Sequence, residues 1–199
     1  MIWLAPMVHP QRAFHWELRL LKARIAVEPD ANRRAELLCD AAIYHSVIGR
    51  AEESQDDRDE APLFARQASE IASETETRLR AARAWVRFEE QAHGPAAGQR
   101  AFESVFQEYP EARGDSALRA RYMATLLKTG NERQVLRIFA DEFMGSAARM
   151  GSVHSEDAVR AAAQAARRLH GEAASRALLG DVIKRWPKSR GASTARELL

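Results

Sequence analysis

The chain has 199 residues, 46% of them hydrophobic, which is enough to bury a substantial core in one elongated domain. Its 30 basic residues against 28 acidic ones leave a net charge of only +2, which disfavours a nucleic-acid binder that works by neutralising phosphates, since such proteins carry a larger or more segregated excess. The single cysteine, Cys39, excludes an internal disulfide and a cysteine-cluster zinc site; abundant Ala, Leu, Arg and Glu, with Gly and Pro only at boundaries, point to an all-α class.

The first long apolar run, Ile2 to Val8, is far shorter than the roughly 20 residues that a bilayer needs, and it has neither the basic start nor the small-residue cleavage site of a secretory signal. If it is the end of a membrane helix, then Arg12, Arg19, Lys22 and Arg24 behind it place the rest of the chain on the cytoplasmic side. Pro10 opens a helix to about Val27, with Phe14, Leu18, Leu21 and Ile25 on one face. Basic, amphipathic and close to Trp3 and Trp16, this helix reads as an end cap on the helices that follow, with a membrane-surface helix as the other reading. Glu28-Pro29 stops it, Asp30 caps a second helix through Ile48, and Gly49 ends that one; residues 1–50 thus form an N-terminal helical pair.

Residues 51–61, AEESQDDRDEA, hold six acids and one arginine with nothing to bury, so a solvated loop is expected there. Pro62 then takes the first turn of a short helix with Leu63, Phe64, Ala68 and Ile71 inward. A longer helix, Glu76 to Ala92, carries Leu79, Ala82, Trp85, Val86 and Phe88. Gly94 turns the chain into a helix with Ala97, Ala101, Phe102, Val105, Phe106 and Tyr109, ended by Pro110. Asp115 or Ser116 caps the next, containing Leu118, Tyr122 and Leu126, and Asn131 caps one containing Val135, Leu136, Phe139 and Phe143. Gly145 to Gly151 reads as a looser connection, Ser155 to His170 as an alanine-rich helix, and Ser193 to Leu199 as a short final cap.

A repeat runs through the second half. HGPAAGQRAFESVFQEYPEARGDSAL, from His93, aligns without a gap on HGEAASRALLGDVIKRWPKSRGASTA, from His170, with nine identities in 26 positions. Unlike positions keep their character, as in Ala101/Leu178, Phe102/Leu179 and Phe106/Ile183, so Phe106, Tyr109, Phe139, Ile183 and Trp186 are expected to be buried between repeats. The offset of 77 residues suits two helical hairpins, and LRARYMATLLKTGNERQVLRIFADEF supplies the middle copy around Gly130. A fixed period with retained turn residues and apolar phase marks a helical solenoid, in which each unit buries its face against its neighbours.

A turn glycine between two helices, small residues early in the second, an aromatic near its end and then a proline resembles the tetratricopeptide repeat. The likeness is strongest in VFQEYPEARGDSALRARYMATLLKTGN and VIKRWPKSRGASTARELL, which look like the lengthened bacterial variant of that family. It covers Arg78 to Leu199 well and Pro10 to Ser73 loosely. The family's usual tryptophan and Leu-Gly pair in the first helix are missing, and the turn glycines are spaced by 36 and 41 residues rather than the family's usual length. The resemblance implies a right-handed α-solenoid of antiparallel helix pairs, about ten helices in all, with the repeat region over 62–199. It also implies a concave groove that receives another protein or an acidic peptide segment.

No HExxH or paired i, i+4 arrangement joins His9, His15, His45, His93, His154 and His170, and no nucleophile elbow or phosphate-binding loop is present. The expectation is therefore a non-enzyme without cofactor or metal. Residues singled out for partner binding are Arg80, Arg83 and Arg87 on one helix face, with Phe88, Arg119, Tyr122 and Arg160. Arg83, Arg119 and Arg160 each lie 11 residues before a turn glycine, so they hold equivalent places in successive units. They form either a basic ladder in the groove, able to pair with carboxylates, or a solvated outer face. The leading functional reading is a protein-protein interaction adaptor in a larger bacterial assembly, cytoplasmic and close to the inner face of the membrane through its N-terminal segment. An RNA- or DNA-binding helical repeat protein is the alternative, since arginine far outnumbers lysine.

Overall fold

The computed structural model describes residues 10–199, with side chains from Ala13 on, so Ile2–Val8, Trp3, His9 and the Arg12 side chain lie outside the described residues. Among the described residues the fold is all-helical without a strand. Its α-helices are α1 (Pro10–Val27), α2 (Ala31–Ala51), α3 (Gln55–Ile71), α4 (Thr75–His93), α5 (Pro95–Glu108), α6 (Ser116–Lys128), α7 (Glu132–Ile138), α8 (Ala147–Gly151), α9 (Ser155–His170), α10 (Glu172–Arg185) and α11 (Arg190–Leu198). The chain divides into two compact units, Met1–Ala101 and Phe102–Leu199.

In the first unit α3 packs between α2 and α4, which also touch each other, and α1 lies on α2. One core joins Ala35, Leu38 and Cys39 of α2 to Ala68 and Ala81, and another joins Leu18 of α1 to Ala41 and Ile48. Burial pushes the Cys39 thiol up to about 11, so this cysteine is an inert core residue. Asp30 caps α2 as expected, its side chain accepting from the Arg33 amide at 2.8 Å. In the first turn of α2, Asn32 Oδ1 accepts the amides of Ser73 and Glu74, both at 3.0 Å, so α2 ties down the chain where it enters α4, which has no side-chain cap of its own.

The acidic stretch corrects the loop expectation, because residues 55–61 are the first two turns of α3. Ser54 caps this helix by accepting from the Asp57 amide, and Asp56 and Asp57 sit in the first turn, where exposed amides favour negative charge. Pro62 is accordingly in the helix interior and buried, not in a first turn. Leu63, expected inward, is 59% exposed. Gly49 is likewise no stop signal. It lies buried inside α2, where a Cβ would meet Arg58 Cγ at 2.8 Å and the Arg58 amide nitrogen at 2.9 Å. Absence of a side chain lets the start of α3 close directly on α2.

Two of the turn glycines share one backbone conformation. Gly94 (φ 85°, ψ 177°) and Gly171 (φ 86°, ψ 178°) occupy a backbone region nearly closed to other residues. Each introduces a helix of 14 residues, α5 and α10, so the two copies share their local conformation as well as their letters. Val105, Val182 and Phe102 are fully buried, and Leu179 nearly so. Tyr109, Ile183 and Trp186 are only half-buried, which corrects the expectation for them, while Phe106 and Phe139 are in the core.

In the second unit α9 is central, packing on α6, α7, α8, α10 and α11. Its buried face is Ala158, Val159, Ala161, Ala162, Ala163, Ala165 and Ala166, small enough for neighbours to approach closely. Phe102, Phe106 and Tyr122 form an aromatic cluster, with Tyr122 5.3 Å from each of the other two rings. Asp115 caps α6, whereas Asn131 takes the cap position of α7 without capping it, its amide donating to Thr129 Oγ1 instead. The chain from Phe139 to Phe143 forms a π-helical turn, closed by the Met144 amide on the Phe139 carbonyl at 2.9 Å. Residues 147–151, read as a loose connection, form α8, and the last helix begins at Arg190 under a Ser189 cap rather than at Ser193.

Candidate functional site

The close approach at Gly49 has a chemical consequence, since it sets Arg50 of α2 and Arg58 of α3 beside one cavity of about 320 Å³. Ser46 of α2, Ala61 of α3 and Phe88, Gln91 and Ala92 of α4 complete the lining. Each arginine is anchored through Nε on an α2 carbonyl: Arg58 on Gly49 at 2.9 Å and Arg50 on Ser46 at 3.2 Å. Anchoring by Nε leaves the paired terminal nitrogens as the recognition edge of a guanidinium, the geometry that matches a carboxylate or phosphate. No carboxylate lines the cavity, and among the described residues neither arginine has an ion-pair partner. Phe88, Ala61 and Ala92 give the same cavity an apolar floor, and Ser46 donates to Gln91 Oε1 at 3.5 Å.

Two histidines brace α3, which carries Arg58. His45 of α2, 4% exposed and stacked on Phe64, holds Asp57 Oδ1 through Nδ1 at 2.8 Å. Burial lowers its pKa below the usual imidazole value, against the opposing pull of Asp57. At the far end of α4, His93 contacts Glu89 at 2.7 Å and Asp59 of α3 at 3.1 Å. The Glu89 hydrogen bond raises its pKa, so the imidazolium is favoured there.

The second unit has a larger cleft, about 620 Å³, lined by Arg160, Gln164, Arg167 and Arg168 of α9 with Glu172 and Leu179 of α10. Its arginines are already engaged. Arg160 meets Glu197 at 3.3 Å and Arg167 meets Glu172 at 2.9 Å, while Arg168 meets Glu132 at 3.2 Å and donates to the Leu127 carbonyl. A ligand here would have to displace internal carboxylates, which makes the first unit's cavity the better anion site.

The residues singled out by sequence are divided between the units. Arg80 and Arg87 are exposed on α4, and Arg87 places its guanidinium 5.4 Å from the centre of the Phe88 ring that floors the cavity. Arg83 is half-buried, with Glu76 at 3.4 Å. Phe88 and Tyr122 are 2% and 4% exposed; Phe88 lines the cavity of the first unit, whereas Tyr122 packs in the aromatic cluster of the second. Arg119 is also drawn inward. It lies 4.3 Å over Phe106 and bonds Glu142 at 3.1 Å, and burial lowers its pKa although Glu142 opposes the shift. Equal spacing from a glycine therefore gives Arg83, Arg119 and Arg160 different surroundings. Arg50 and Arg58 escaped sequence reading because they lie on two helices, one of them read as a loop; the only available signal was the lone arginine among six acids. Compared with known proteins, the chain matches no family model, no curated protein and no solved structure.

Proposed function

We propose that the chain is a non-enzymatic interaction scaffold of tetratricopeptide-like helical repeats, and that the cavity of its first unit receives a carboxylate-bearing segment of another protein. The observation that carries this reading is the pair Arg50 and Arg58, oriented by backbone carbonyls into a cavity without a carboxylate of its own. Two oriented guanidinium groups over an apolar floor favour an acidic side chain or chain terminus with a short apolar neighbour. The conserved local conformation at Gly94 and Gly171 supports the repeat reading. Arg80 and Arg87 extend the basic surface of α4, whereas Arg119, held by Glu142, falls outside the proposed contact set. A place in a larger bacterial assembly on the cytoplasmic side of a membrane belongs to the same proposal.

Phosphates would suit the same arginines, so nucleic acid is the reading to test against. Fluorescence anisotropy with a labelled Asp/Glu-rich peptide, its Asn/Gln counterpart and a generic single-stranded oligonucleotide separates the two. The expected result is binding of the acidic peptide alone, weakened more than about tenfold per folded molecule by the double variant Arg50→Glu/Arg58→Glu. Tighter binding of the oligonucleotide with a steep salt dependence, or no difference between the two peptides, overturns the proposal.

A further inference from the structure

Helix α1 carries two apolar stripes, and only one of them is used. Phe14, Leu18, Leu21 and Ile25 form the first, and Leu18 and its neighbours pack on Ala41 and Ile48 of α2. The second stripe is Trp16, Leu20, Ala23 and Val27, at the i, i+4, i+7, i+11 spacing of a single helix face. Trp16 is 63% exposed, Leu20 58% and Val27 79%, and Ala23 is exposed between them. Isolated surface apolar residues need no explanation, but four in register along one helix form a contiguous strip.

The charges around the strip point to its occupant. On a helical wheel Arg19 and Arg24 stand about 70° to either side of it, both exposed and, among the described residues, without a side-chain partner. In sequence α1 holds Arg12, Arg19, Lys22 and Arg24 against a single acid, Glu17, and Glu17 is occupied by the Tyr44 hydroxyl. A second copy of the chain suits this face poorly, because a self-paired strip would set Arg19 and Arg24 of one copy against the same arginines of the other. An anionic lipid surface suits it well. It accepts the apolar strip among the acyl chains, takes Trp16 at the headgroup level and neutralises arginines on both flanks.

We propose that α1 is a peripheral membrane-binding helix that docks on anionic lipid through Trp16, Leu20 and Val27, with Arg19 and Arg24 contacting headgroup phosphates. No helix among the described residues is long and apolar enough to cross a bilayer; the attachment proposed for α1 is interfacial. It is independent of the arginine cavity between α2, α3 and α4.

Co-sedimentation of the full chain with vesicles tests it, using phosphatidylcholine alone and phosphatidylcholine with roughly a third phosphatidylglycerol. Binding is expected only with phosphatidylglycerol, and it should fall as salt rises. Trp16→Ser/Leu20→Ser and, separately, Arg19→Glu/Arg24→Glu should each reduce the bound fraction roughly tenfold or more while helicity and melting stay as in the parent chain. Four results would overturn the inference: no binding to the anionic vesicles; equal binding to both vesicle types; binding untouched by either pair of substitutions; or a concentration-dependent dimer that Trp16→Ser/Leu20→Ser dissolves without any lipid effect. A further variant, Ile2→Ser/Trp3→Ser/Leu4→Ser, should weaken binding or leave it alone. Stronger binding would mean that this segment covers the strip in the parent chain, a fifth result that overturns the inference.

Discussion

Gly49 offers a substitution whose sign is decided by two opposed and separable effects. Replacing a helix-interior glycine by alanine ordinarily stabilises a protein by about 0.5–1 kcal/mol, because the unfolded chain loses conformational freedom. At Gly49 the new methyl group would sit 2.8 Å from Arg58 Cγ, 2.9 Å from the Arg58 amide nitrogen and 3.1 Å from the Ser54 carbonyl oxygen. Two of these three atoms are backbone, so relief requires the start of α3 to move off α2, and overpacking of this kind costs about 1–3 kcal/mol. The expected outcome for Gly49→Ala is a net loss of about 1–2 kcal/mol, or a melting temperature lower by about 2–8 °C in a chain of this size. Gly180 in α10 supplies the control, since a Cβ there meets nothing within 4 Å. Gly180→Ala should stabilise by roughly 0.5–1 kcal/mol. Both are read from urea and thermal unfolding followed by circular dichroism at 222 nm, a wavelength fixed by helix absorption. If Gly49→Ala is as stable as the parent chain, the close approach of α2 and α3 is wrong, and with it the shape of the arginine cavity.

Phe106, 8% exposed and bracketed by the Tyr122 ring at 5.3 Å and the Arg119 guanidinium at 4.3 Å, should cost about 3–5 kcal/mol when replaced by alanine. A loss below about 1 kcal/mol in denaturant titration would mean that this aromatic cluster does not exist in solution. The two bracing histidines should respond to pH in opposite directions. His45 has a folded pKa below its ordinary value, so its contribution is present above about pH 6.5 and is lost as pH falls through the folded value, with Asp57, Glu60 and Lys22 facing it. His93 has a raised folded pKa, so its contribution is present below about pH 6.5 and is lost as pH rises. The stability difference between the parent chain and His93→Gln should therefore shrink on going alkaline, and that between the parent and His45→Asn should shrink on going acidic. Differences that stay constant across pH 5–8, the window in which imidazole titrates, would refute this assignment.

The parts of this fold that were legible from sequence are those governed by local rules. Asp30, Asp115, Gly94, Gly130 and Gly171 each do where they stand what their chemistry suits them for, as caps or left-handed turns. Where the reading failed, a tertiary neighbour decided the outcome. Residues 55–60 have nothing apolar to bury, yet Ser54 and two first-turn aspartates start a helix that Ala61, Pro62 and Ala65 then pin to its neighbours. Gly49 looks like punctuation in a string of letters and becomes a contact point only once Arg58 faces it. Register alone placed Arg119 on a ladder, but Glu142, in a π-helical turn that no pattern announces, pulls it inward. The arginine cavity was illegible for the same reason: its two charges come from different helices and are aimed by backbone carbonyls.

The alanine face of α9 constrains how the second unit can come apart. Its neighbours α6, α7, α8, α10 and α11 all rest on a surface of small side chains, so α9 has many partners and few groups that can swing aside. Such a helix cannot loosen by a rotamer change or a small slide; it leaves all of its partners together or stays. Partial opening is thereby confined to the periphery, where the short α8 or the terminal α11 can fray, and the amides of α9 exchange with solvent only when the whole unit unfolds.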